Sequence, residues 1–175
     1  MFKPTLKYAI VCGIFLSFLF FVSIWFGVNP LLVKQGLLFD IVIFVLFIAA
    51  ADREFKRYHN DGYLHFWQGM TIGFITYGIA TAVFLMVVLS FFLVNPDYLA
   101  VYKADLLNEA IKEQDKLIEQ VGEDGYEQVK QGINGLTIGQ ILFSSTVPPS
   151  AMLKKIFAGF FVTPLISLIL RKKPD

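Results

Sequence analysis

The sequence predicts an all-α integral membrane protein with four transmembrane helices and an amphipathic extracytoplasmic helix between the third and fourth spans. Composition is the first observation behind this. Hydrophobic residues make up 56% of the 175 positions and charged residues only 17%, against roughly 45–50% and about 25% in soluble domains. Phenylalanine alone supplies 19 residues. The second observation is arrangement: the charges gather between long apolar runs instead of scattering through them. A net charge of +1 without a basic stripe leaves no electrostatic footprint for nucleic acid. The single cysteine, Cys12, can form neither an internal disulfide nor a zinc cluster. The length suits a single membrane domain over 1–175.

The spans are expected at about 8–28, 33–51, 66–94 and 150–170. Tyr8 to Val28 carries no charge, and about 20 apolar residues cross the hydrocarbon core. This run exceeds a signal-peptide core and has no A-x-A-like site after it, so it reads as an uncleaved span. Asn29-Pro30 ends it. The second span has its apolar core at Ile41 to Ala51, contains Asp40, and is stopped by Asp52-Arg53-Glu54. The third is uncharged from Phe66 to Val94. After it, Asn95 suits a helix N-cap, Pro96 the first helical position and Asp97 the positive helix end. The fourth is uncharged from Ile156 to Leu170 and extends back to about Ser150 if Lys154 and Lys155 snorkel to the interface. Pro164 is expected to kink it. The apolar stretch Leu136 to Val147 is too short to span and reads as interfacial or re-entrant.

Lysine and arginine set the orientation. Lys3 and Lys7, then Arg53, Lys56 and Arg57, then Arg171, Lys172 and Lys173 fall on one side of four spans. The segment Asp97–Lys130 holds nine acidic residues against four lysines, a net of −5. Both termini are therefore expected in the cytoplasm and the acidic segment, 97–131, outside. Trp25, Tyr63, Trp67 and Tyr98 fall at span ends, as in an aromatic belt.

Within the outer segment, Leu99, Tyr102, Leu106, Ala110, Leu117 and Val121 recur at helical spacing over Asp97–Val121. Gly122 and Gly125 loosen the chain beyond, and Glu127 to Gln131 are expected to make one further turn. The stripe suits packing on the mouths of the protein's own spans. As a docking face for a partner it would present Leu99, Tyr102, Leu106 and Leu117. Its acid surplus argues against adhesion to anionic lipid.

Arg53-Glu54-Phe55-Lys56-Arg57 is followed by Gly62-Tyr63-Leu64, Phe66, Gln68 and Gly73, then by the break Val94-Asn95-Pro96-Asp97-Tyr98 and the ending Leu170-Arg171-Lys172-Lys173. This pattern resembles the bacterial "domain of unknown function 4199" family of small four-helix membrane proteins over nearly the whole chain. His65 and Trp67 depart from the small residues expected there. The resemblance implies a bacterial cytoplasmic (inner) membrane location. It carries no catalytic residues. It also implies a loose association with glycosyltransferases.

The candidate residues follow from chemistry that is costly in a membrane. Asp40 is an intramembrane carboxylate, and such groups mark function unless they reach the headgroups or pair locally, here with Lys34. Gln68, with Thr71, Thr76, Thr81 and Ser90, offers hydrogen bonds between helices. Gly69 and Gly73 form a small-xxx-small pair for close helix packing, within the chain or between copies. His59, Asp61, His65 and Glu54 are clustered, but without a recognised metal-ligand spacing, so no metal is expected. Asn60-Asp61-Gly62 reads as a turn. Ser144-Ser145-Thr146 lacks a nucleophile elbow, and no Walker or dinucleotide glycine pattern exists, so no cofactor is expected. The expected role is an accessory or scaffold subunit of an inner-membrane assembly. Its partners would be the bilayer and another membrane protein, for instance a glycosyltransferase, or further copies of the chain. The alternative is a small oligomeric transporter or channel using Asp40. An enzyme is the third reading and rests on the histidine cluster alone.

Overall fold

The structure, a computed structural model, describes residues 2–32, 36–143 and 151–172. Among the described residues seven helices follow in order: α1 (Phe2–Trp25), α2 (Gly36–Tyr58), α3 (Phe66–Val94), α4 (Asp97–Lys112), α5 (Gln114–Asn134), α6 (Ile138–Phe143) and α7 (Ala151–Leu170). Three of them contain segments long and apolar enough to cross a membrane: Thr5–Trp25, Phe66–Val94 and Met152–Leu170. The chain forms two compact units, Met1–Val88 with Ala151–Asp175, and Leu89–Ser150.

In the first unit α2 packs against α1 and α7. Glycines bring α3 against α7. A Cβ on Gly69 would meet Ser167 Oγ at 2.9 Å, one on Gly73 would meet the Thr163 side chain, and one on Gly159 would meet the Tyr77 ring. Each step of four along α3 thus matches a step of four back along α7, which is one face of each helix in antiparallel register. Small residues let backbones approach closely where lipid gives no hydrophobic drive for association. The Gly69/Gly73 face is therefore spent inside the chain. Gly13 does the same for α1 and α3, where a Cβ would lie 2.7 Å from Val83 Cβ and 2.8 Å from Ala80 O. The hydroxyls at the seam turn back on their own helix: Thr163 Oγ1 donates to Gly159 O at 2.7 Å and Ser167 Oγ to Thr163 O at 2.7 Å. Pro164 lies inside the helix.

At one end of this unit the chain is clasped. Leu64 and Lys172 exchange backbone hydrogen bonds of 2.9 Å in an isolated antiparallel bridge. Lys56 Nζ donates to Leu170 O at 3.0 Å, a lysine satisfying a terminal carbonyl of α7. Ala51, Phe55, Leu64 and Ile72 form the core beneath, with Tyr8 and Leu170 against it. The helix α2 runs on to Tyr58, past Asp52-Arg53-Glu54, where the expected span ends. Those charges end the apolar run, but Asp, Arg and Glu do not break a helical ladder. It ends at the expected turn, where Asp61 and Gly62 take φ of 48° and 82°.

In the second unit α4 packs on α5, and Lys103 Nζ donates to Asn134 O at 2.8 Å. Two expectations change here. Asn95 does not cap α4: its amide donates back to Phe91 O at 3.2 Å, and Pro96 is the N-cap residue. The charged segment is also not one helix to Val121. It breaks at Glu113 (φ −103°, ψ 17°) and again at Gly122 (φ 76°, ψ 172°), then stays helical to Asn134. Only glycine takes that second conformation without strain. The apolar stretch after it yields the short α6, whose start is closed by Thr137 and Gln140: the Thr137 amide donates to Gln140 Oε1 at 2.9 Å and the Gln140 amide to Thr137 Oγ1 at 3.3 Å. This is a capping box. Lys34, Ser144-Ser145-Thr146, Pro148-Pro149 and the expected span start at Ser150 lie outside the described residues.

The α3–α7 seam gives a direct test. Gly73→Ala drives a methyl group into Thr163 and is expected to cost about 1–3 kcal/mol, read as a lower thermal midpoint in mild detergent. Thr163→Ala on that background is expected to recover part of the loss. Gly78→Ala meets open space and is expected to leave the midpoint level or raise it. Equal effects of Gly73→Ala and Gly78→Ala would refute the packing role.

Candidate functional site

Asp40 lies one turn into α2 and Lys155 one turn into α7. The two helices run parallel, since α2 meets α7 both there and at Lys56–Leu170. The two charged side chains therefore stand at the same level, and Lys155 Nζ donates to Asp40 Oδ1 at 2.7 Å. The lysine and aspartate side chains are 9% and 14% exposed. The ammonium also sits 4.1 Å from the centroid of the Phe84 ring on α3, a cation–π contact strengthened by desolvation. Three helices thus converge on one charge pair. Lys155 does not snorkel outward as expected from the sequence; it turns inward because a carboxylate and a ring face are in reach. Its neighbour Lys154 donates to Leu31 O at 2.7 Å.

Beside the pair is a cavity of about 380 Å³, walled by α1 residues such as Leu16, Leu19 and Phe20, and by Ile43, with Asp40 and Lys155 in its lining. That is within the roughly 300–1,000 Å³ of small-molecule sites.

The other polar candidates are used locally. Gln68 Oε1 accepts from the His65 amide at 3.0 Å and from Asn60 Nδ2 at 3.2 Å, so it closes the start of α3 as the return arm of a capping box. Thr71 and Thr76 donate to the carbonyls of Trp67 and Ile72. Glu54 accepts from the Tyr8 hydroxyl at 2.6 Å and from Lys7 at 3.1 Å. The Tyr8 hydrogen bond first, then Lys7, holds its carboxyl below the usual carboxylate range. His59 stacks on Phe55 and His65 on Trp67. Among the described residues no three His, Cys, Asp or Glu side chains come together as a metal site.

In the second unit, Tyr102 and Leu106 are buried, while Leu99 and Leu117 are half-buried. Burial pushes the Tyr102 hydroxyl up to about 12. Val101, Ile111 and Val121 are exposed large apolar residues of α4 and α5.

Sequence reasoning singled out Asp40 but missed Lys155 as its partner. The available signal was position, because both residues follow the start of an apolar helix by one turn. It also missed Asp52, taken as a stop. That side chain is fully buried and neither carboxylate oxygen has a hydrogen-bond partner among the described residues. Thr81 Oγ1 is buried and unpaired likewise.

A family model described as a protein of unknown function (DUF4199) matches residues 7–172. No curated protein and no solved structure matches the chain.

Breaking a buried pair leaves an uncompensated charge and costs about 3–5 kcal/mol, whereas replacing both partners with apolar groups is often neutral or stabilising. Asp40→Leu and Lys155→Met are each expected to lower the thermal midpoint in detergent, and the double variant to restore it. Additive losses in the double variant would show that the two charges act independently.

Proposed function

We propose that this chain, which belongs to the DUF4199 family, is a four-span protein of the bacterial inner membrane that serves as an accessory or scaffold subunit of a membrane assembly. The observation that carries the reading is the Asp40–Lys155 pair. It neutralises the charge that would otherwise keep α2 out of a bilayer. With Asp40 paired, α2 is the fourth span: residues 36–51 of the helix reach roughly 24 Å at about 1.5 Å each, and local thinning of a hydrocarbon core of about 30 Å takes up the difference. Its remaining charges follow Ala51 and join Lys7 at one end. Four-helix packing then serves as a rigid body whose seams are built from glycine and back-bonded hydroxyls. Lysine and arginine placement orients both termini to the cytoplasm, with the acidic α4–α5 segment, an amphipathic element, outside. Polar side chains that a conduction path would use are engaged within the fold: Gln68 closes the start of α3, Thr76 bonds its own helix, and Asp40 joins α2 to α7 through Lys155. This favours a scaffold, with a membrane protein such as a glycosyltransferase as its partner.

One observation favours a second reading, a small oligomeric transporter. The ion pair borders a cavity, and an intramembrane carboxylate beside a cavity is the usual seat of ion coupling.

Purification from native membranes in mild detergent, with mass spectrometry of what accompanies the chain, separates the two. The scaffold reading expects a stoichiometric membrane partner. A homogeneous homo-oligomer without one sinks it in favour of transport.

Orientation has its own test. In a Cys12→Ala background, Tyr58→Cys and Glu123→Cys place single thiols at exposed sites of the two sides. A membrane-impermeant maleimide applied to spheroplasts is expected to label position 123 and to reach position 58 only after lysis. The reverse pattern would invert the topology.

A further inference from the structure

The cavity beside the ion pair is lined by both exposed and buried apolar residues. Phe26 and Phe39 in its lining are 80% and 66% exposed, whereas Phe20, Ile43 and Phe84 are buried around the charges. Among the described residues, Lys155 and Asp40 bond to each other through Oδ1 alone. A carboxylate accepts at both oxygens and an ammonium has three N–H groups, so Asp40 Oδ2 and further Lys155 N–H groups remain for a ligand. A ligand that suits both must bring a donor cation and an acceptor anion on one head, joined to an apolar body. An anionic head alone answers Lys155 and repels Asp40. A quaternary ammonium answers the charge of Asp40 but has no N–H to donate.

The geometry points to a binding site for an aminophospholipid, with its primary ammonium on Asp40, its phosphate on Lys155 and a chain along Leu16, Leu19 and Phe20. The apolar wall selects the lipid over a free zwitterion of the same head. The site needs the membrane placement proposed above, though not the accessory role. Maleimide labelling reports on the placement and lipid titration on the site, so the two fail separately.

The test is native mass spectrometry of the full chain in mild detergent. It is titrated with phosphatidylethanolamine, phosphatidylcholine and phosphatidylglycerol of equal chain composition, and with chain-free glycerophosphoethanolamine. Phosphatidylethanolamine is expected to bind about tenfold more tightly than the other two lipids, the scale of one charge-assisted hydrogen bond. Asp40→Asn is expected to erase that preference. Leu19→Trp fills the cavity without touching the charges and is expected to abolish binding at an unchanged thermal midpoint, which keeps the test open if Asp40→Asn misfolds. Equal affinity for the three lipids, or undiminished binding by Leu19→Trp, overturns the site. Chain-free head binding as tightly as the lipid overturns the lipid as its ligand.

Discussion

Asp40 and Lys155 meet at 2.7 Å on neighbouring helices, and Phe84 of a third helix faces the ammonium. Neither charge is tolerable alone where it is buried, because an isolated ion in a low-dielectric setting costs far more than any packing contact returns. The pair therefore constrains the parallel register of α2 and α7, since sliding either helix by one turn would move the charges about 5.4 Å apart along the axis. The seam of α3 on α7 then inherits that register through Gly69, Gly73 and Gly159. The Lys56–Leu170 bond fixes the same two helices at their far ends, and the bridge between Leu64 and Lys172 ties the α2–α3 connection to the chain just past α7. Ionic, steric and backbone contacts thus agree on one alignment, and such agreement favours a single packed state.

The long elements were legible in the sequence because their signal is one-dimensional. A run of apolar residues bounded by charge or proline identifies a helix without reference to any other part of the chain. Asp40 and the Gly69/Gly73 pair were legible as unusual for the same reason. Their partners were not, since contacts such as Asp40–Lys155, 115 positions apart, depend on which helices are neighbours. Lys155 looked like a snorkelling residue because, seen from its own helix, the headgroups were the only place for its charge. Gln68 looked like an intramembrane polar group, although its spacing of three from His65 already matched the return arm of a capping box. The break at Glu113 had no local signal: its φ and ψ are open to any residue, unlike those of Gly122.

The two units differ in what holds them. The first relies on shape, with glycines admitting a neighbouring helix and aromatic rings such as Phe44 and Tyr77 meeting edge to face. The second contains α4 and α5, with Tyr102, Leu106, Tyr126 and Ile133 buried and charged side chains on their other faces. Asp52 belongs to neither pattern. A buried carboxylate without partners among the described residues is a local conflict of the kind that stable packing alone does not select.

The spacing between the paired charges also bears on how the protein is made. Synthesis proceeds from the N-terminus, so Asp40 emerges 115 positions ahead of Lys155. At about 5–20 residues per second, α2 waits on the order of ten seconds for the counter-charge of Asp40. The contact between α2 and α7 can form only once Lys155 has been made, so the register that the rest of the first unit follows is set only after α1, α2 and α3 exist as chain.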